Sequence, residues 1–230
     1  RDRFTIFLDN NEYEILKTPS PLDDPLNFVD TKKYTERLAA ARKLTKQDDA
    51  IMIASGKLKG INVTVGAQNF SFIGGSVGSA SGEAFIAGVQ NAIDNQTPFI
   101  FFCSSGGIRM MESAISLQQM PRVVVAVNEF KKNNLPYIVI LTNPSYGGVT
   151  ASIGMLGDIQ IAEPKSQIGF AGKRVIEQTI GETLPEEFQT AEYIKDHGGV
   201  DLVISRKDLR DTIGTLITIL LKKNKVTSIE

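Results

Sequence analysis

Two glycine pairs, Gly106–Gly107 and Gly147–Gly148, each follow a short apolar stretch. The stretches run from Phe99 to Cys103 and from Tyr137 to Leu141 and are rich in β-branched or aromatic residues. Such composition is typical of buried strands. A turn of small and polar residues then leads each time into a predicted helix start, whose first N–H groups lack carbonyl partners.

Backbone N–H groups at such turns are suited to binding a developing negative oxygen. Glycine allows the backbone to turn sharply and to approach a ligand closely, and the start of a helix adds the positive end of its dipole. If the two turns lie side by side, they form an oxyanion hole. We therefore predict four catalytic residues: Gly106, Gly107, Gly147 and Gly148.

The sequence offers few of the side chains that nucleophilic or acid–base catalysis uses. His197, the only histidine, precedes two glycines at a predicted helix end, where a cation favours the helix dipole. Cys103, the only cysteine, lies within an apolar strand and is expected to be buried and inert. No spacing typical of metal ligands is found, so no metal site is predicted. Backbone donors alone suit enolate or tetrahedral-oxyanion chemistry in which the substrate or cofactor supplies the base.

Composition narrows the possible partners and location. The 230 residues carry a formal net charge of −1, which provides no bulk electrostatic attraction to nucleic acid or to a membrane surface. No apolar run reaches the ~20 residues that a membrane-spanning helix needs. The single cysteine suits a reducing compartment.

The composition changes at about residue 48. Residues 1–48 are polar, and we expect an arm with a helix from about Thr31 to Leu44 that Asp30 caps. Residues 49–230 begin with glycine-punctuated hairpin strands and then alternate strands with helices, which predicts one α/β domain. Later elements include a strand over 168–172, a helix over 185–195 and a closing amphipathic helix from Asp208 to Lys223.

Longer motifs around both glycine pairs resemble one family. They are Ser105-Gly-Gly-Ile-Arg-Met, Thr142-Asn-Pro-Ser-Tyr-Gly-Gly-Val-Thr-Ala-Ser and Ile168-Gly-Phe-Ala-Gly-Lys-Arg. Over nearly the whole chain the sequence is similar to the carboxyltransferase β subunits of multi-subunit acetyl-CoA carboxylases. The resemblance implies a crotonase (ClpP-like) fold, in which ββα units form a spiral with helices packed outside.

The resemblance also implies a reaction and its partners. Carboxybiotin, carried on a biotin carboxyl carrier protein, gives its carboxyl group to acetyl-CoA, which becomes malonyl-CoA for fatty-acid biosynthesis. The active site is expected between this chain and an α subunit in an α2β2 assembly. As a hypothesis, the biotin ureido group acts as the base once CO2 has left it, which would explain the missing catalytic side chain.

Several further residues are candidates for binding CoA on the strength of this resemblance. Gly75, Ser76 and Ser79 belong to a small-residue loop that opens a predicted helix, and Gly172 lies in a motif-rich loop. Arg109 and Arg174 suit CoA phosphates or carboxylates, although structural ion pairs would suit them equally. Family members usually carry a four-cysteine zinc ribbon ahead of the region matching Arg1, so zinc is expected only where such a ribbon precedes these residues.

Two other functions remain open at this point. One alternative is a carboxyltransferase subunit for propionyl-CoA or another acyl-CoA, and the other is a non-catalytic subunit that only scaffolds an α partner. Both glycine pairs are present, which argues against a pure scaffold. The resemblance implies the bacterial cytoplasm, with the plastid stroma as the alternative, and neither a membrane nor nucleic acid as a partner.

Overall fold

The computed structural model describes residues 2–221, apart from the side chain of Arg174. These residues form a mixed sheet of seven strands. The strands lie in chain order across the sheet. The first three pair antiparallel and the rest pair parallel, so the expected hairpin and the α/β class are confirmed. The strands are β1 (Tyr13–Ile15), β2 (Ile51–Leu58), β3 (Ile61–Gln68), β4 (Phe99–Ser105), β5 (Tyr137–Ser145), β6 (Ile159–Ala162) and β7 (Leu202–Val203).

Helices cover both faces of the sheet. Among the described residues they are α1 (Asp2–Phe7), α2 (Tyr34–Thr45), α3 (Ser79–Asp94), α4 (Ser113–Leu117), α5 (Gln119–Lys132), α6 (Gly147–Val149), α7 (Lys173–Ile180), α8 (Ala191–Asp196) and α9 (Leu209–Leu220). The core on one face is formed with α3 and α5, and the core on the other with α1 and α9. A π-helical turn, Thr150–Gly154, continues α6.

The central strands β4 and β5 are buried on both sides. Phe99, Phe101 and Cys103 point into the core beneath α3 and α5, whereas Ile100 and Phe102 point into the opposite core. Continuous apolar runs are what parallel strands covered on both faces require. The apolar stretches before the two glycine pairs therefore become the centre of the sheet.

The N-terminal residues are tied to the sheet. Phe4 and Phe7 are buried in the same core as α9, and β1 adds an edge strand. Tyr34 and Leu38 of α2 form a separate small core with Phe72. The domain boundary at residue 48 stays a prediction.

Three predicted elements differ from the structure. The helix expected after Asp30 begins only at Tyr34, because the Asp30 carboxylate accepts the Lys32 N–H and binds Arg37 instead of capping a helix. The helix expected over 185–195 is shorter: the hydroxyl of Thr190 caps α8, and a turn precedes it.

The strand expected over 168–172 is reduced to an isolated bridge between Ile168 and Ser145. The N–H of Gly169 still donates to the Ser145 carbonyl at 3.1 Å, and the chain then forms a loop up to α7. The closing helix is confirmed as α9, with Leu209 and Ile213 buried, but its expected end at Lys223 lies outside the described residues.

Candidate active site

The two glycine pairs meet at one edge of the sheet. β4 and β5 are parallel neighbours, and Ser105 pairs with Ser145 at their carboxyl ends. A Cβ atom built on Gly147 would lie 3.2 Å from the Cα of Gly107. The turns are thus in van der Waals contact, as an oxyanion hole built from both of them requires.

Both turns need glycine at their point of contact. Gly107 has φ +126° and Gly147 has φ +66°, backbone conformations that side chains with a Cβ rarely adopt. A methyl group on either residue would also occupy the space between the turns. The glycines are therefore explained by local geometry as well as by any chemistry.

Three of the four predicted N–H donors are already engaged within the chain. Gly106 donates to the Gly74 carbonyl at 2.8 Å, and Gly107 donates to the Ser105 hydroxyl at 2.9 Å. Gly147 donates to the carbonyl of Phe170 at 3.0 Å. These N–H groups hold the turns in place, so the prediction that all four are open donors is wrong.

The N–H groups of Gly148 and Ile108, at the two turns, have no acceptor among the described residues. Gly148 lies in the first turn of α6, where the helix itself offers no acceptor. Ile108 lies between Gly107 and Arg109, and no described group accepts its N–H. The two residues touch, because a Cβ built on Gly148 would lie 2.4 Å from Cγ1 of Ile108. Sequence analysis missed Ile108, although its place directly after the glycine pair was a usable signal.

The small-residue loop between β3 and α3 braces the first turn. Gly75 is buried, and its carbonyl accepts from Gln68 at 2.6 Å and from Ser105 at 2.8 Å. The N–H of Ser79, at the start of α3, donates to the Glu112 carboxylate at 2.6 Å. The prediction that Gly75 touches CoA is wrong, since it is buried under its own chain.

The N-terminus of α3 cannot readily hold a phosphate group. The Glu112 carboxylate already takes the anion position that a helix start favours. Ser76 and Ser79 are half-buried beside it. Their contact with CoA therefore stays a prediction, and it would have to use their hydroxyls.

Arg109 is buried in an ionic cluster instead of facing the solvent. Only 1% of its surface is exposed, and its guanidinium donates to both Asp49 carboxylate oxygens at 2.7 Å. Burial alone lowers the pKa of Arg109, but the hydrogen bonds and charge of Asp49 raise it above its usual value. The prediction that Arg109 pairs with CoA phosphates is wrong. Its alternative, a structural ion pair, is confirmed by the contact with Asp49.

The loop after Ile168 forms the exposed side of the site. Phe170 is 69% exposed although its carbonyl binds Gly147. Gly172, which precedes α7, is half-buried, and a Cβ built on it would meet no described atom within 4 Å. The side chain of Arg174 lies outside the described residues, so its predicted role stays a prediction.

No titrating side chain among the described residues hydrogen-bonds to the four glycines. Burial raises the pKa of the Cys103 thiol. His197 is exposed at the end of α8, with its Nδ1 2.7 Å from the Tyr193 carbonyl oxygen. The described residues contain no group of metal-ligating side chains, and within 2–221 no helix has the length and apolar character needed to cross a membrane.

The fold and the paired turns define a carboxyl transferase domain. Residues 22–225 match the family of that description. The chain belongs to the acetyl-coenzyme A carboxylase carboxyl transferase β subunit family. It is 56% identical to the β subunit of Pelagibacter ubique, over 97% of this chain and 72% of that protein, and 53% identical to that of Brucella abortus, over 97% and 74%. The expected family, transferase class and component of acetyl-CoA carboxylase are thereby confirmed.

Solved structures share the crotonase-like fold. A transcarboxylase 12S structure matches with a TM-score of 0.74 and 24% identity, over 94% of this chain and 40% of that chain. A Pseudomonas malonate decarboxylase heterodimer matches with a TM-score of 0.71 and 20% identity, over 96% and 85%. At these identities the likeness establishes the fold alone, and the expected fold class is confirmed.

Proposed function

We propose that this chain forms malonyl-CoA for fatty-acid biosynthesis by placing the N–H groups of Ile108 and Gly148 on the enolate oxygen of acetyl-CoA. The observation that carries the proposal is that these two N–H groups have no described acceptor and belong to residues in contact, while the N–H groups of Gly106, Gly107 and Gly147 are bonded within the chain. Gly106, Gly107 and Gly147 then serve the site by fixing the turns.

The reaction needs such donors when the enolate of acetyl-CoA forms. The methyl group of acetyl-CoA must lose a proton before its carbon can bond to CO2, and the electron pair then moves onto the thioester oxygen. Fixed donors aimed at that oxygen lower the barrier because they need not reorient as the charge develops. Loss of one such donor typically costs ~10²–10³ in rate.

Carboxybiotin on a biotin carboxyl carrier protein would supply the carboxyl group and the base. The described residues fit this division of labour, because among them no Asp or Glu side chain hydrogen-bonds to the four glycines. The space beside Gly172 is open, since a Cβ built there would meet no described atom within 4 Å. The chain itself then has to bind, orient and shield the thioester.

The side chains above Gly148 favour a short acyl group. A Cβ built on Gly148 would approach Cγ1 of Ile108 to 2.4 Å and the sulfur of Met120 to 2.9 Å. These two side chains therefore close over the turn and restrict the space next to the open donors. This supports acetyl-CoA over the larger acyl-CoA alternatives.

Partners and location complete the proposal. An α subunit in an α2β2 assembly would cover the exposed side of the site, where Phe170, Val175 and Ile180 are each more than half exposed. Of the predicted CoA contacts, Ser76, Ser79, Gly172 and Arg174 remain in the proposal. The compared relatives come from bacteria, which supports the bacterial cytoplasm over the plastid stroma.

The test is a carboxyl transfer assay on the assembled complex. The chain is co-expressed with the α subunit, and transfer from malonyl-CoA to free biotin is followed as acetyl-CoA formation. We expect activity from the complex and none from either subunit alone. A well-assembled complex without activity, or an α subunit equally active alone, would contradict the proposal, and faster turnover of methylmalonyl-CoA would indicate the propionyl-CoA alternative.

A further inference from the structure

Arg109 is the centre of a buried polar cluster formed with Tyr34, Asp49, Ser76 and Glu112. Besides Asp49, its guanidinium donates to the Ser76 carbonyl at 2.8 Å and to the Tyr34 hydroxyl at 3.0 Å. The Tyr34 hydroxyl in turn donates to Glu112 at 2.6 Å. Arg109, Asp49, Glu112 and Tyr34 are all at most 7% exposed. One side chain thus ties the loop before α3 to the segment after the first glycine pair.

The backbone of that segment is bonded to the same loop. Val77 donates to the Gly107 carbonyl at 3.0 Å, and Arg109 donates from its own N–H to the Val77 carbonyl at 2.9 Å. The two bonds lie on either side of Ile108. These bonds fix the plane of the peptide that carries the Ile108 N–H. Because both bonds involve Val77, that plane is held rigidly only if the loop around Val77 is itself rigid.

We infer that Arg109 is a positioning residue: by clamping the carbonyl of Ser76 next to Val77, it aims the Ile108 N–H at the substrate oxygen. This inference rests on the proposed function, because it assigns Arg109 to the support of a donor proposed above. Arg109 touches no substrate itself.

The energetics of burial support a geometric role. Removing charges from water is costly, and a buried ion pair is often no more stabilising than apolar residues of the same size. Such a cluster is therefore a poor device for stability alone. It does hold several groups at fixed distances and angles, which is what a hydrogen-bond donor in an oxyanion hole needs.

The contacts require arginine in particular. Nη1 and Nη2 reach the two oxygens of Asp49, and Nη2 also reaches the Ser76 carbonyl. A lysine has the same charge, but its single ammonium cannot present the planar fork that these acceptors match. Arg109→Lys therefore keeps the charge and removes the clamp.

The test compares the binding of two CoA thioethers to the complex with the α subunit. One thioether ends in a nitronate, whose oxygen carries negative charge like an enolate, and the other ends in a neutral group. Titration calorimetry on folded protein measures the ratio of their affinities. We expect Arg109→Lys to reduce the nitronate preference about tenfold or more, while the affinity for the neutral thioether stays within about twofold because ground-state binding does not use the donor.

Arg206→Lys is the matched control. Arg206 also donates two hydrogen bonds to a buried carboxylate, that of Glu163, but it lies after β7 and has no contact with the turns. We expect it to keep the wild-type affinity ratio. Hydrogen exchange should rise in residues 74–79 and 106–112 of Arg109→Lys only.

Each result decides a different question. Wild-type complex that binds both thioethers equally overturns the proposed oxyanion hole. If the wild-type complex prefers the nitronate thioether and Arg109→Lys keeps that preference, the positioning role of Arg109 is overturned and the oxyanion hole is not. If Arg109→Lys does not fold, Asp49→Asn replaces it, because it keeps the size of the side chain and weakens the same clamp; an unchanged nitronate preference there overturns the inference.

Discussion

The N–H of Tyr146 donates to the carbonyl oxygen of Ser105 at 2.9 Å, and this bond joins the two glycine turns. The strands before it are not in simple register. Cys103 pairs with Leu141 and Ser105 with Ser145, so four steps along β5 match two steps along β4. This irregularity brings Gly107 level with Gly147. The contact between the turns is therefore built into the pairing of the two strands.

We predict that Gly147→Ala slows carboxyl transfer beyond what its loss of stability explains. A residue with a Cβ pays about 1–2 kcal/mol in the left-handed conformation that Gly147 adopts at φ +66°. Its methyl group would also lie 3.2 Å from the Gly107 Cα and push the turns apart. Transfer measured with the assembled complex should fall about tenfold or more, since one misplaced donor can cost that much.

Gly60→Ala is the control for this substitution. Gly60 has φ +78° in the turn between β2 and β3, and a Cβ there would meet nothing within 4 Å. Urea unfolding should show a similar loss of stability for both variants. An equal loss of transfer in both would mean that strain, and not the position of the turns, explains the effect.

A second prediction concerns the hydroxyl of Ser105. It accepts from the Gly107 N–H at 2.9 Å and donates to the Gly75 carbonyl at 2.8 Å, and it is fully buried. Ser105→Ala leaves the Gly107 N–H unpaired and leaves the Gly75 carbonyl with Gln68 as its remaining donor. We expect this to cost about 1–3 kcal/mol in urea unfolding. Transfer should also fall, because Gly107 loses the bond that orients the peptide before Ile108.

Thr97→Val provides the comparison for Ser105. Thr97 is also buried, and among the described side chains its hydroxyl bonds to that of Thr64, at 2.9 Å, near the other end of β4. We expect Thr97→Val to lose stability and keep the wild-type transfer rate. If Ser105→Ala also keeps that rate, the Ser105 hydroxyl does not orient the site.

The meeting of the two glycine pairs could be predicted from the sequence. Apolar runs of strand length identify parallel strands, and the carboxyl ends of neighbouring parallel strands share an edge of the sheet. The glycines at Gly107 and Gly147 then follow from the need for tight turns. These inferences use only local composition and the order of elements along the chain.

Which N–H groups stay open could not be predicted. It depends on carbonyls that lie far away along the chain, those of Gly74 and Phe170, and on the Ser105 hydroxyl. The burial of Arg109 likewise depends on Asp49, a residue 60 positions earlier. A guanidinium suits a phosphate and a carboxylate equally, so residue type alone could not decide between a ligand contact and an ion pair.

We predict that Cys103 takes no part in the reaction. It is fully buried in β4, and burial raises the pKa of its thiol, so little reactive thiolate forms near neutral pH. Cys103→Ala should keep the wild-type transfer rate and lose about 1 kcal/mol or more of stability through the smaller side chain. A thiol reagent should modify the wild-type protein only in denaturant. Modification of the folded protein with loss of transfer would contradict this.

The last prediction concerns Glu163 and acid stability. Burial by itself raises the pKa of Glu163, but hydrogen bonds from Arg206 and Arg3 and their charges lower it below its usual value of 4.5. The folded protein therefore binds this proton less readily than the unfolded chain does. The resulting stabilisation is complete above pH 4.5 and is lost as the pH falls through the lowered pKa.

Glu163→Gln removes that titration while keeping the shape of the side chain. In urea unfolding at pH 7, the variant should be less stable than wild type by about 1–3 kcal/mol, since the buried charge-assisted hydrogen bonds weaken. The gap should narrow as the pH falls below 4.5 and through the lowered pKa of Glu163, because the wild-type carboxylate becomes protonated there. Asp211→Asn is the control: the exposed Asp211 also has a lowered pKa, through Lys59, yet solvent screens that pair and no measurable gap is expected. A Glu163→Gln gap that stays constant from pH 7 to the pH at which acid unfolds the wild type would show that Glu163 does not carry this charge in the folded protein.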